Sequence, residues 1–230
     1  MAGVREPITR TYRVAMTVCG VVIRRWGRLR VEGLEHLPTS GPVLMAVNHD
    51  SHWDPVAVGV AARRERQIRA LAKAELWKNP VLGKILDGMR QIKLYRGKGP
   101  EGGMQDAISE LRDGACIGIF PEGTLSWGHE LRARSGLGVL AREVPEATVV
   151  NVAVVDTIAI VRFPRRPRIS VRFFPPAGGQ LQPGEEPSAF VARLMDEIRE
   201  EAPRVAGGRD PEAQHAAAAK RMDEKAAARG

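Results

Sequence analysis

One short polar stretch, set between two apolar runs, most constrains how this chain can fold. Residues 43–46 (VLMA) are continuously apolar, as expected for a buried strand, and residues 47–55 (VNHDSHWDP) follow them. Asp54-Pro55 is typical of a helix start, with Asp54 as the N-cap and proline at the first helical position. The sequence therefore predicts a strand–turn–helix unit. It places His49 on the turn, where the imidazole can come within reach of the Asp54 carboxylate.

Such a pair can perform general-base chemistry. A carboxylate on one ring nitrogen fixes the imidazole tautomer and leaves the other nitrogen to take a proton from a hydroxyl, which typically contributes ~10²–10⁴-fold in rate. The simpler interpretation is that Asp54 only caps the helix and His49 only packs. Taken alone, the stretch favours that interpretation, because helix caps are far commoner than catalytic dyads.

A second stretch changes the balance. Residues 117–124 (IGIFPEGT) read as an apolar strand that ends in a tight turn exposing a carboxylate, a glycine and a hydroxyl. Together the two stretches resemble the glycerolipid acyltransferase family. Residues 48–54 match its His-x-x-x-x-Asp block, 94–97 (LYRG) its arginine block, and 120–124 (FPEGT) its Pro-Glu-Gly block. The resemblance runs from about Gly33 to Thr157.

The resemblance implies a fold, a reaction and a set of substrates. The fold would be α/β, with a largely parallel central sheet flanked by helices, as in glycerol-3-phosphate acyltransferase. The reaction would move a fatty acyl group from an acyl thioester to the free hydroxyl of a lysophospholipid, in phospholipid biosynthesis. The specific expectation is conversion of 1-acyl-glycerol-3-phosphate to phosphatidic acid. His49 would be the base and Asp54 its orienter, with acyl-CoA or acyl carrier protein as co-substrate and no metal or bound cofactor.

The acceptor site follows from the same resemblance. The resemblance gives Arg96, Gly97, Glu122, Gly123 and Thr124, and Arg134 is added to replace a cation that the family commonly has at position 125. Arg96 is assigned to the acceptor phosphate because a guanidinium binds phosphate bidentately and stays charged. Backbone amides near Gly123 are a suggested oxyanion site.

Two positions depart from the family pattern. Leu125 stands where an arginine is common, and Asn151 where proline is usual. There are two explanations. In the first, which we favour, either Arg132 or Arg134 replaces the missing cation. In the second, the acceptor carries a larger or less charged headgroup.

Chain length and element patterns indicate one catalytic domain. The expected regions are a basic and apolar N-terminal segment (1–30), the acyltransferase domain (31–202) and an Ala/charged tail (203–230) that is frayed or disordered. Strands are expected at 70–72, 91–96, 116–120, 148–155 and 168–173, and helices at 80–88, 104–114 and 187–201. Their alternation favours a largely parallel sheet with its loops at one edge.

The charge balance favours a membrane partner. Lys+Arg 35 against Asp+Glu 27 gives a net charge of +8, while aromatic residues are only 5% of the chain. Anionic surfaces should therefore attract the protein. The chain has few aromatic side chains on which nucleic-acid bases could stack, so we expect membrane lipid and no nucleic acid as its partner. The apolar run Val14–Ile23 is shorter than the ~20 residues needed to cross a bilayer. It is either an interfacial helix, with Trp26 at headgroup depth, or a helix that packs on the domain.

Two further features bear on location. Arg63, Arg64, Arg66 and Arg69 form a run that by default is a solvated face, with a membrane-facing patch as the alternative. Cys19 and Cys116 lack metal-type spacing, as expected for a reduced intracellular protein. The expected location is peripheral, on the cytoplasmic face of the cell membrane.

Two rival functions come from other classes. A metal-dependent hydrolase would use His49, Asp50, His52, Asp54 and His129 as ligands, but it would leave the Glu122 block without a role. A non-catalytic lipid-binding protein would keep the site without turnover.

Overall fold

The fold is a seven-stranded sheet with helices on both faces. The computed structural model describes residues 6–95, 103–161, 164 and 166–204. Within them the strands are β1 (Arg30–Glu32), β2 (Val43–Val47), β3 (Ile68–Lys73), β4 (Ile92–Leu94), β5 (Cys116–Ile119), β6 (Thr148–Val155) and β7 (Ser170–Phe174). The α-helices are α1 (Arg10–Val21), α2 (Asp54–Ala62), α3 (Pro80–Gly88), α4 (Met104–Arg112), α5 (Gly136–Glu143) and α6 (Pro187–Glu201).

The sheet is largely parallel, which confirms the predicted fold class. Its strand order is β1-β7-β6-β2-β5-β3-β4. The five strands from β6 to β4 run in one direction, whereas β7 is antiparallel to β6 and carries β1 parallel to itself. The carboxyl ends of β6, β2, β5, β3 and β4 therefore lie along one edge of the sheet, where open α/β folds bind their ligands.

The strand β2 occupies the centre of the order and is buried along its whole length. Val43, Met45 and Val47 face a core that contains residues of α1 and α2. Leu44 and Ala46 face the opposite core, with residues of α4, α5 and α6. Burial on both faces explains why this strand is continuously apolar instead of alternating.

Most element predictions are confirmed. The bounds of β6 and α6 are those expected, and Asn79 caps α3 by accepting from the amides of Val81 (3.0 Å) and Leu82 (3.1 Å). The strand expected at 168–173 begins later, at Ser170, because the amide of Arg168 donates to the Asp156 carboxylate (2.7 Å). Most of the tail, residues 205–230, lies outside the described residues.

The N-terminal helix packs on the domain through one face and exposes the other. Tyr12 and Met16 are buried in the core shared with α2. Val14, Val18 and Val21 on the opposite side are 64%, 65% and 59% exposed. A π-helical turn, Val22–Trp26, continues α1. Among the described residues, no helix is both long and apolar enough to span a bilayer.

Two arginines of the run after α2 are buried, so the predicted solvated face is wrong for them. Arg66 is 2% exposed and donates to the carbonyls of Pro38 (3.2 Å), Gly41 (2.9 Å) and Gly114 (2.7 Å). Arg69 is 4% exposed and forms ion pairs with Glu6 and Glu110. The chain turns from α2 into β3 here. Loop carbonyls bind the guanidinium of Arg66, and carboxylates from distant segments bind that of Arg69.

Candidate active site

His49 and Asp54 are in contact at the carboxyl end of the central strand. His49 lies two residues after β2, and its Nδ1 is 3.2 Å from Oδ2 of Asp54. The Asp54 side chain is fully buried and that of His49 is 17% exposed. One face of the imidazole packs on Phe120, with ring centroids 4.4 Å apart. The ring is thus fixed by a carboxylate on one nitrogen and by an aromatic neighbour.

Asp54 orients the turn and does not cap the helix, contrary to the sequence-based expectation. Asp54 is the first residue of α2, and the N-cap position belongs to Trp53, which makes no side-chain cap hydrogen bond; Pro55 lies in the first turn as predicted. Oδ2 of Asp54 accepts from the backbone amides of Asp50 and Ser51, each at 2.7 Å, and Oδ1 accepts from the Thr157 hydroxyl. The carboxylate is directed back at the turn because the turn amides and the imidazole converge there. Three groups besides His49 therefore hold this carboxylate in place.

The second predicted carboxylate, Glu122, is buried and not exposed. Its residue is 3% exposed. Oε2 accepts from the backbone amide of His49 at 2.8 Å. The turn after β5 thus supports the turn after β2 directly, as is possible because β2 and β5 are neighbours in the sheet. This contact lies at the base of the site, beneath the histidine.

Arg199 of α6 joins the two turns, and the sequence analysis did not identify it. Its guanidinium donates to both Asp50 oxygens, at 2.8 and 3.0 Å. It also donates to Oε1 of Glu122, from Nε at 3.1 Å and from a second nitrogen. Arg199 is only 8% exposed. A detectable signal existed, because position 199 is eight residues after Val191 and so falls in the register of the apolar stripe of α6.

The electrostatics of this cluster favour the charged forms. Burial alone would raise the pKa of Asp50, but hydrogen bonds from Arg199, Ser126 and Asn48 lower it below its ordinary value. Burial opposes the charge on Arg199, yet its hydrogen bonds to Asp50 and Glu122 outweigh that effect and raise its pKa. Asp50 and Arg199 are thus both charged near neutral pH.

Ser126 and Asn48 complete the frame around His49. The amide of Ser126 donates to the His49 carbonyl at 2.8 Å, and its hydroxyl donates to Asp50. The Asn48 side chain spans to β6, where it accepts from the amide and donates to the carbonyl of Val154, both at 2.8 Å. The ends of β6, β2 and β5 are therefore tied together around the histidine.

The turn at Gly123 meets Arg134. Gly123 has φ +70, and a Cβ there would lie 2.6 Å from Nε of Arg134. The Arg134 amide donates to the Pro121 carbonyl at 2.8 Å, so the loop closes on itself. Arg134 is exposed, as is Thr124, whereas Leu125 is buried. The Gly123 amide donates to the Phe120 carbonyl (2.9 Å) and is therefore already paired, whereas an oxyanion site at other amides near Gly123 stays a prediction.

The remaining predicted positions have different outcomes. Arg96 and Gly97 lie outside the described residues. Asn151 is fully buried within β6 and donates to Glu197 of α6 at 2.7 Å. Asn151 thus contacts α6 through its amide nitrogen, while its buried Oδ1 has no hydrogen-bond partner among the described residues.

The proposed metal ligands do not form a cluster. His52 and His129 are exposed, and Asp50 is paired with Arg199. In the part of the chain that the structure describes, no group of three or more His, Cys, Asp or Glu side chains is placed to hold a metal ion.

Comparison with known proteins identifies the family. A family model described as "Acyltransferase" matches residues 28–155, more than half of the 230 residues. The chain belongs to the acyltransferase family. The matched region contains β2, the His49 turn and the Glu122 turn, and it ends before Thr157 and α6.

Two relatives illustrate the family. The chain is 27% identical over 113 residues to the 1-acyl-sn-glycerol-3-phosphate acyltransferase of Bacillus subtilis strain 168; the match covers 49% of this chain and 56% of that protein. The chain thus spans little more than half the length of this curated relative. The solved structure of the 1-acyl-sn-glycerophosphate (LPA) acyltransferase PlsC from Thermotoga maritima is similar with a TM-score of 0.65 at 18% identity. The match covers 82% of this chain and 78% of that one, and it shows the shared fold.

Proposed function

We propose that this protein transfers a fatty acyl group from an acyl thioester to the free hydroxyl of 1-acyl-glycerol-3-phosphate, forming phosphatidic acid. The observation that carries the proposal is the His49–Asp54 contact at 3.2 Å, at the carboxyl end of the central strand. Both named relatives are acyltransferases of this acceptor. The family membership and the geometry therefore support the same reaction.

His49 is the base in this mechanism. With Nδ1 on Asp54, Nε2 takes the proton of the acceptor hydroxyl while its oxygen attacks the thioester carbonyl. The tetrahedral intermediate then collapses, the C–S bond breaks, and the proton passes from His49 to the departing thiolate. The imidazolium that forms between these steps is stabilised by the buried Asp54 carboxylate. A thioester is already activated, so the step needs no covalent enzyme intermediate.

Arg96 and Arg134 are assigned to the acceptor phosphate, with Gly97, Gly123 and Thr124 lining the site. The position of Arg134 against Gly123 supports its part of this assignment, because it brings a cation to the turn that contains Leu125. Glu122 contributes indirectly, by holding the His49 amide. The acceptor is thus expected to be a phosphate monoester, not a larger headgroup.

The thioester donor is acyl-CoA or acyl carrier protein, and the reaction requires no metal or bound cofactor. The acceptor and product are membrane lipids, so the protein is assigned to the cytoplasmic face of the membrane as a peripheral enzyme. The exposed valines of α1 and the net charge of +8 support that location.

Turnover of palmitoyl-CoA with a panel of lysolipids, read as thiol release, tests the proposal. We expect wild type to use 1-acyl-glycerol-3-phosphate best and His49→Ala to lose about 10²-fold or more in kcat, since the base is removed. His52→Ala is the matched control, because His52 lies in the same turn but is exposed, and it should retain activity.

Three results would contradict the proposal. A folded His49→Ala protein with wild-type turnover would remove the mechanism. Preference for a headgroup-bearing lysophospholipid would change the acceptor. Lysolipid binding without turnover would indicate a lipid-binding protein.

A further inference from the structure

The charged cluster around Arg199 lies partly outside the region that the family model matches. That region ends at residue 155, whereas Arg199 is near the end of α6. We propose that Arg199 is a positioning residue for acyl transfer, and that α6 is consequently part of the catalytic unit. The effect on acyl transfer rests on the proposed function. The effect on the position of His49 does not depend on which reaction the protein catalyses.

Arg199 acts on His49 by two separate routes. Through Glu122, it fixes the carboxylate that accepts from the His49 amide at 2.8 Å. Through Asp50, it fixes the residue whose own amide donates to Asp54 at 2.7 Å. The first route holds the backbone of the histidine and the second holds the turn that aligns its carboxylate partner. The first route therefore ends at the backbone of His49 and the second at Asp54, the partner of its ring.

The three charged side chains of this cluster are largely buried. The side chains of Arg199, Asp50 and Glu122 are 6%, 14% and 1% exposed. Glu122 and Asp50 are like charges that converge on one site, and Arg199 is the cation that lies between them. Removing it leaves two buried carboxylates without their counter-charge, and breaking a buried ion pair in this way is strongly destabilising. We therefore expect the turn that carries His49 to shift when Arg199 is lost.

Arg199 does not contact the reacting atoms in this assignment, which determines the expected kinetics. Displacement of a catalytic group by about 1 Å can cost 10²-fold in rate without loss of substrate binding. The loss should therefore fall on kcat, with the KM values for thioester and lysolipid little changed. A residue that only attaches α6 to the domain would change stability and leave kcat per folded molecule intact.

The test compares Arg199→Met and Arg199→Lys with Arg172→Met. Arg172 of β7 is the matched control because it also forms an ion pair with α6, through Glu201. Its side chain is 46% exposed, and it does not touch the site. We expect Arg199→Met to lower kcat by about 10²-fold, and Arg199→Lys, which keeps the charge but loses the fork geometry, by less. Arg172→Met should keep the wild-type kcat.

Histidine-selective ¹⁵N NMR provides a readout that does not require turnover. In wild type the His49 ring, identified by comparison with His49→Ala, should show a single tautomer fixed by Asp54. In Arg199→Met this signature should change, and it should stay the same in Arg172→Met. Glu122→Gln keeps the side-chain volume and serves if Arg199→Met does not fold, with the same expected change.

The outcomes separate the two proposals. Failure of wild type to transfer an acyl group contradicts the proposed function, and the NMR comparison still tests the positioning role. Wild-type kcat and an unchanged His49 signature in a folded Arg199→Met protein would overturn the inference. So would an equal loss of kcat in Arg172→Met, because the loss would then not depend on the contacts of Arg199 with Asp50 and Glu122.

Discussion

At the scale of single residues, the site depends on positions where backbone and side chain constrain one another. Gly123 adopts φ +70, which side-chain-bearing residues rarely adopt, and a Cβ would collide with Arg134. The positive φ of the turn is therefore the main reason for glycine here, because the exposed Arg134 side chain laid across it can move. Within the proposed function, the same contact favours Arg134 over Arg132 as the cation that compensates for Leu125.

We predict that Arg134→Ala raises the KM for 1-acyl-glycerol-3-phosphate by about tenfold or more and leaves the KM for the thioester unchanged, because a charge-assisted contact to phosphate is lost. Arg132→Ala is the matched control, being two residues away and also exposed, and it should behave as wild type. Steady-state kinetics with each substrate varied in turn measures both effects. An equal change in the two KM values would make Arg134 structural. Leu125 is a poorer comparison because it is buried and its truncation would also cost stability.

At the scale of elements, the connection from α2 to β3 shows how a charged run can belong to the interior. Arg66 lies beyond the end of α2 and donates to three carbonyls from two separate loops. Two of these carbonyls belong to Pro38 and Gly41, in the segment that leads into β2. The third belongs to Gly114, just before β5. Arg66 therefore joins the starts of β2 and β5, whose far ends carry the His49 turn and the Glu122 turn.

Arg66→Met should destabilise the protein by about 2–4 kcal/mol, since it removes three hydrogen bonds from a buried charged donor. Arg64→Met, two residues earlier and exposed, should change stability by less than about 0.5 kcal/mol. Urea unfolding monitored by tryptophan fluorescence gives both values. If the two variants had the same free energy of unfolding, the hydrogen bonds of Arg66 would make no net contribution to stability, and the prediction would be wrong.

At the scale of the whole molecule, charge and exposed apolar surface coincide along α1. A groove of about 770 Å³ beside this helix is lined by apolar residues, including Val14 and Val18, and by Arg13, Arg63 and Arg64. The pKa of Arg24 is lowered by burial and by the neighbouring charges of Arg63 and Arg64, so cations are crowded on this side. Valines that enter the interface and arginines that contact lipid phosphate are the two components of peripheral binding.

We predict salt-sensitive binding to vesicles that contain phosphatidylglycerol, measured by co-sedimentation. Val18→Glu should weaken it strongly, because it places an acid on the apolar face of α1, where Val18 is 65% exposed. Gln105→Glu makes the same change of charge at an exposed position on α4, across the sheet, and should have little effect. Binding that survives both high salt and Val18→Glu would contradict a docking role for α1.

Local patterns in the sequence determined the framework. Continuous apolar runs predicted β2, β5 and β6, because strands buried on both faces need no polar alternation. Asn79-Pro80 and the stripe Phe190, Val191, Leu194 and Ile198 predicted α3 and α6, because caps and helical spacing depend on near neighbours. The contact of His49 with Asp54 is also local, since five residues separate them.

Only the tertiary structure decided what surrounds that pair. Asp50 and Arg199 are 149 residues apart in the chain, and Glu122 and Arg199 are 77 apart. No local periodicity relates such positions. Burial of Glu122, Arg66 and Arg69 depends likewise on which distant groups pack against them. From residue type alone these charged side chains were predicted to be exposed, and that prediction is wrong. Asp54 shows the same limit at short range, because its carboxylate joins the turn amides and not the helix once Thr157 and His49 converge on it.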